Sequence, residues 1–259
     1  MSDRARLRET FAADAELYHR ARPGYPPELF DELAALCRGR RAVEIGPGTG
    51  QATAPLAERG FSVVAVELGE SLAAVARREL APFPSVEVAC ADFETWEPPA
   101  EPFDLVLAAT SFHWLDPAVR YAKPARLLRE GGILAVIVTH HVVLPDGDRF
   151  MVEVQDVYDR ITGPGGRPPG GPEDVSDAWD DLDTTLFEHV ATRRFLRERR
   201  YGPQAYVDLL ATYSPNIARP PEQRERLFAE LRARIEARPQ PYVDKAYLTQ
   251  LQVARRKAL

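Results

Sequence analysis

Short apolar runs and helix-like segments alternate through the first two-thirds of the chain. The runs are 41–46 (RAVEIG), 62–67 (SVVAVE), 85–90 (SVEVAC), 104–109 (DLVLAA) and 132–138 (GILAVIV). They are rich in Val, Ile and Leu at consecutive positions, the pattern of strands covered on both faces. Between them the spacing predicts helices over 51–59, stopped by Gly60; over 71–80, with Ser71 as N-cap; and over 117–129, entered through Asp116-Pro117 and stopped by Gly131-Gly132. Strand and helix in repeated alternation predict a parallel sheet with helices on both faces.

The flanks carry a different pattern. Upstream, 5–18 and 27–37 have helical spacing and are separated by RARPGYPP, a turn punctuated by Pro and Gly. Downstream, 148–162 is helix-like, and GPGGRPPGG at 163–171 must be loop. A strand of mixed faces follows at 189–201, then helices near 203–213 and 221–237, and a last strand near 242–256. The expected organisation is one α/β domain over 1–259: N-terminal helices at 1–39, a core at 40–143, and a cap insertion with C-terminal strands at 144–259. A chain of 259 residues fits that size.

Composition narrows the function classes. A net charge of −6 offers no global basic field for nucleic acid, so a small-molecule partner is expected and nucleic acid is not. The basic cluster RRFLRERR at 193–200 reads as a solvated sheet edge, because charges alternate across both faces of a strand. Cys37 and Cys90 form no metal pattern and no disulfide scaffold, and Cys90 reads as a small buried residue. No run of about 18 apolar residues occurs, and the charged N-terminal stretch lacks the apolar segment of a secretory leader. The expectation is a soluble, cytoplasmic protein without a membrane partner; oligomeric state cannot be read from the chain.

The candidate chemistry sits in RAVEIGPGTGQATAPLAERGFSVVAVE, Arg41 to Glu67. Gly46, Gly48 and Gly50 are spaced G-x-G-x-G, and Gln51 stands where a dinucleotide fingerprint wants its third small residue. No lysine is present, which excludes a Walker A loop. Glu44, two residues before the first glycine, suits an ammonium group better than a phosphate. Glu67 closes the second strand where it would take both hydroxyls of a ribose. Asp92 follows the third strand, where it would accept from an adenine amino group while the Phe93 backbone N–H reaches a ring nitrogen. A helix N-cap would equally select Asp92.

Together these positions resemble the class I S-adenosylmethionine-dependent methyltransferases over residues 40–140. VEIGPGTG is similar to the family's first motif, VVAVE to the second, CADFE to the third, FDLVLAATSFHW to the fourth, and LLREGGILAV to the glycine turn and strand that follow. The resemblance implies a Rossmann-like sheet of seven strands with the last antiparallel, N-terminal helices and a helical cap. It implies S-adenosylmethionine as cofactor, with contacts from Glu44, Gly46, Gly48, Gly50, Glu67, Leu68, Asp92, Phe93, Ser111 and Trp114. AELYHRARPGYP at 15–26 also resembles a subgroup that includes trans-aconitate methyltransferase, which adds Tyr18 and Arg22. His113 is the candidate catalytic base, or else a structural residue beneath the loop. His140 and His141 point to opposite faces of a strand, so at most one meets a substrate. Methyl transfer to a small molecule is the leading expectation. RNA methylation, a non-methylating reaction on the same fold, and nicotinamide chemistry stay as alternatives.

Overall fold

The computed structural model describes residues 14–258. The portion of the expected 5–18 helix before residue 14 lies outside them. Within them the elements run α1 (Ala15–Ala21), α2 (Pro27–Leu36), β1 (Arg41–Ile45), α3 (Thr53–Glu58), β2 (Ser62–Glu67), α4 (Glu70–Glu79), β3 (Val86–Cys90) and β4 (Phe103–Ala109). After a 3-10 turn at Phe112–Trp114 come α5 (Pro117–Arg120), α6 (Ala122–Leu127), β5 (Leu128–Val142), α7 (Phe150–Glu153) and α8 (Gln155–Thr162). The remainder is β6 (Phe187–Tyr201), α9 (Pro203–Ala211), α10 (Ser214–Ile217), α11 (Pro221–Glu236) and β7 (Val243–Arg256).

The seven strands form one sheet in the order β3-β2-β1-β4-β5-β7-β6. The first five pair in parallel and the last strand of the chain runs antiparallel, as the Rossmann-like expectation required. β4 shows why continuous apolar runs make central strands: all seven of its residues are buried. Leu105, Leu107 and Ala109 pack on one face with Leu29, Phe30 and Leu33 of α2 and Leu56 of α3. Val106 and Ala108 pack on the other with Phe112, Ala125 and Leu127. Truncating such a side chain to Ala costs about 2–5 kcal/mol through lost burial and a residual cavity.

The chain groups into two compact units. One comprises Pro23–Thr139, Asp177–Phe195 and Thr249–Leu259; the other comprises Met1–Arg22, His140–Ser176 and Leu196–Leu248. The first carries β1 to β4 and the glycine loop. The second has its own core, where Phe150, Val157 and Ile161 meet Leu209 and Leu210 of α9 and Leu227, Leu231 and Ile235 of α11.

Several boundaries differ from the sequence reading, each for a physical reason. The helix expected over 117–129 is two helices broken at Tyr121, because Pro124 has no N–H for the Arg120 carbonyl and its ring crowds it. The chain enters β5 at Leu128, and Gly131-Gly132 lies inside that strand as a bulge opposite Phe103–Leu105, with Gly131 at φ +71°. The helix over 148–162 is likewise interrupted, at Val154. Ser71 does not cap α4: the helix starts at Glu70 and Gly69 is the N-cap residue. Cys90 is exposed rather than buried, because β3 is an edge strand with no fully buried residue.

Candidate active site

The loop between β1 and α3 explains its three glycines one by one. Gly46 and Gly48 have φ +62° and Gly50 has φ +96°, a region that residues with a Cβ enter only under strain. Space is also short. A Cβ on Gly46 would stand 3.0 Å from the Ser111 Cβ, and one on Gly50 would stand 3.0 Å from Leu80 Cδ1. Ser111, from the loop after β4, donates its hydroxyl to the Ile45 carbonyl at the end of β1. Two strand ends are thereby joined at the mouth of the glycine loop.

Glu67 is pointed into this loop and is 6% exposed. Its Oε2 accepts from the Gly48 N–H at 2.9 Å and its Oε1 from the Gly69 N–H at 2.8 Å. Both bonds are charge-assisted, and they fix the direction of the carboxylate. Leu68, next in the chain, is one of two large apolar side chains that stand exposed among the described residues. An oriented carboxylate beside an open apolar face is the arrangement that takes a hydroxylated sugar bearing a flat ring.

Glu44 sits differently from the expectation of a direct ammonium contact. Its side chain has no exposed surface. Oε2 accepts from the Thr53 hydroxyl at 2.7 Å and Oε1 has no hydrogen-bond partner. Burial, with a smaller contribution from the Glu67 charge and against the Thr53 bond, pushes its pKa up to about 7. The group therefore lies beneath the loop and is tied to the first residue of α3.

The other candidates fall into two groups. Asp92 closes the turn after β3 by accepting the Glu94 N–H at 3.0 Å, and Phe93 is buried and stacks on Trp96 at 6.4 Å. Trp114 lies half-buried in the 3-10 turn with its ring 4.7 Å from that of His113. His113 is exposed at one face, yet the protein around the rest of its ring, with Arg120 adding to the effect, lowers its pKa. It is neutral at physiological pH and can accept a proton; no hydrogen bond from the described residues orients its ring. Tyr18 and Arg22 belong to the other compact unit, where the Arg22 guanidinium lies over Tyr18 and Tyr213. His140 and His141 belong there too.

Two residues of this region escaped the sequence reading. Thr110, at the end of β4, holds φ +56° without being glycine, a strain that recurs where function constrains backbone. Its hydroxyl donates to the Ala109 carbonyl at 2.7 Å and meets the Tyr25 hydroxyl at 3.0 Å. Tyr25 stood in the Pro/Gly turn with no periodicity to mark it, and a strained threonine has no signature in sequence.

A family model described as a methyltransferase domain matches residues 43–136, which span the glycine loop, Glu67 and the fourth motif. A relative from Mycobacterium tuberculosis, named an uncharacterized methyltransferase, is 30% identical over 235 residues, covering 89% of this chain and 87% of its own. The chain belongs to the class I S-adenosylmethionine-dependent methyltransferases. The solved structure of a putative type II methyltransferase from Anaeromyxobacter dehalogenans superimposes with a TM-score of 0.61 at 28% identity, covering 90% of this chain and 97% of that one. A trans-aconitate 2-methyltransferase from Azoarcus is 39% identical over 97 residues only, 36% of this chain and 37% of the relative. In this methyltransferase the residues present fit S-adenosylmethionine: a loop that takes positive φ at three glycines, a carboxylate already aimed, and an open leucine beside it. Among the described residues no helix is long and apolar enough to cross a membrane.

Proposed function

We propose that this methyltransferase acts on a small-molecule acceptor. When bound, S-adenosylmethionine would supply a methyl group from its sulfonium: the acceptor's nucleophile takes the methyl carbon in line and the neutral thioether leaves. Everything else falls to the chain. The glycine loop admits close backbone approach, Glu67 offers two ordered acceptor oxygens for the ribose hydroxyls, and Leu68 offers an apolar face for the adenine. Glu44 under the loop, with its pKa raised to about 7, would gain from ionising beside a positively charged methionyl end. Trp114 presents an aromatic face suited to a cation, and His113, neutral at pH 7, would accept a proton where the acceptor carries one.

The observation that favours a small acceptor over RNA is the state of the 193–200 cluster. On the edge strand β6, Arg194 pairs with Asp177 at 2.9 Å, Arg193 with Glu32 at 3.4 Å and Arg200 with Asp244 at 2.7 Å. With three of its five arginines engaged by carboxylates, the cluster is poorly suited to reading a phosphate backbone. The test is methyl transfer from labelled S-adenosylmethionine to a small-molecule panel and, in parallel, to total RNA. Label in RNA and none in the panel would reject the proposal.

A further inference from the structure

The unit made of Met1–Arg22, His140–Ser176 and Leu196–Leu248 holds a cluster of cations and tyrosines that the cofactor loop does not use. The Arg22 guanidinium lies 4.5 Å from the Tyr213 ring centre and 5.1 Å from that of Tyr18. One of its nitrogens donates to the Thr212 carbonyl at 2.8 Å, while its Nε is buried without a hydrogen-bond partner. The His141 ring stands 5.4 Å from Tyr213 and 5.6 Å from Tyr247. Lys245 is 2% exposed, and its ammonium meets the Met151 sulfur at 3.0 Å and the Tyr247 face at 5.4 Å.

No carboxylate pairs with Arg22 or Lys245 among the described residues. Burial, with Lys245 and Arg22 adding to it, lowers the His141 pKa to about 3, so its ring is neutral and offers an N–H rather than a charge. Asp148, which acts on Tyr206 in the same unit, is already spent: Arg238 donates to both its oxygens, and the N–H groups of Phe150 and Asp244 complete them. Burial pulls the Lys245 pKa down to about 7, the response of an ammonium withdrawn from water with no counter-ion, so an anion from outside the chain is the partner that Lys245 and Arg22 lack. A guanidinium with a free Nε between aromatic faces suits a carboxylate attached to a flat, conjugated body.

We propose that Arg22, His141 and Lys245, walled by Tyr18, Tyr213 and Tyr247, bind the methyl acceptor by a carboxylate on a planar skeleton. The acceptor role rests on the methyltransferase reading; the anion site does not. The same chemistry has a second source, the carboxylate of the cofactor's own methionyl group, and the experiment separates the two.

The full-length protein is titrated calorimetrically with trans-cinnamate and with its neutral isostere cinnamamide, in the absence and presence of saturating S-adenosylhomocysteine. Arg22→Gln and Lys245→Met are titrated alongside, with circular dichroism confirming their fold. Cinnamate is expected to bind at least about tenfold more tightly than cinnamamide. Arg22→Gln should remove that preference, Lys245→Met should reduce it, and S-adenosylhomocysteine should leave it intact. Absence of saturable cinnamate binding, equal binding of the two probes, or cinnamate affinity unchanged in both folded variants would overturn the proposal. Displacement of cinnamate by S-adenosylhomocysteine would overturn it too, by assigning the cluster to the cofactor. Cinnamate binding by a protein that does not bind S-adenosylmethionine would keep the anion site and remove its acceptor role.

Discussion

The backbone N–H of Gly48 donates to Oε2 of Glu67 across 2.9 Å, tying the middle of the glycine loop to the end of β2. The carboxylate is thus aimed by the backbone it serves. Glu67→Ala should weaken S-adenosylmethionine binding by about 100-fold or more, since it removes charge-assisted bonds and orphans two N–H groups. Glu67→Gln should fall between. Calorimetric titration reads this directly, and wild-type affinity in the alanine variant would remove Glu67 from the site.

Gly50→Ala should destabilise the fold by about 1–3 kcal/mol, combining a forced positive φ with the Leu80 contact. Gly60→Ala supplies the control: its φ is +79°, but a Cβ there meets nothing within 4 Å. It should cost only the conformational part, about 1–2 kcal/mol. Urea unfolding of both variants checks the difference, and equal losses would mean that Leu80 yields freely.

Glu44 makes stability fall with rising pH. The folded pKa, about 7, lies above the reference value of 4.5, so the folded state holds the proton more tightly. The stabilising contribution is complete below the unfolded pKa and is lost as pH rises through the folded one. The span corresponds to about 3 kcal/mol. Glu44→Gln should therefore match the wild type near pH 4 and exceed it near pH 8. Parallel stability curves for the two proteins would show that folding does not raise the Glu44 pKa.

Tyr25→Phe should cost about 0.5–1.5 kcal/mol by deleting one partly buried hydrogen bond to Thr110. If that bond holds Thr110 in its strained backbone, Tyr25→Phe should also lower the methyl-transfer rate more than it lowers cofactor affinity. A thermal melt with paired rate and binding measurements separates these, and loss of affinity alone would confine Tyr25 to a structural role.

The legible parts of this protein were those written in local chemistry. Consecutive apolar residues gave β1, β2, β4 and β5, because a strand buried on both faces needs no polar alternation. Gly46, Gly48 and Gly50 were readable because positive φ selects glycine, and Glu67 because an acid closing the second strand has few structural reasons to be there. The break at Tyr121 was also available, in Pro124, but helical periodicity outweighed one residue. Exposure of Cys90 was not readable, since strand order decides which apolar run becomes an edge. Nor was the placement of Arg22 over Tyr213, which brings together residues 191 positions apart, nor the strain at Thr110, which the tertiary structure imposes on a residue of ordinary type.

The two compact units trade the chain five times, at 22/23, 139/140, 176/177, 195/196 and 248/249. β5, β6 and β7 each contribute residues to both. Neither unit is therefore a cassette. A gene fragment ending after residue 139 would strip β5 of its β7 neighbour and leave a raw sheet edge. Exchanging either unit between relatives would require splicing within three strands at once. A change made by point substitution leaves this interleaved framework whole, whereas a change made by shuffling parts has to cut it.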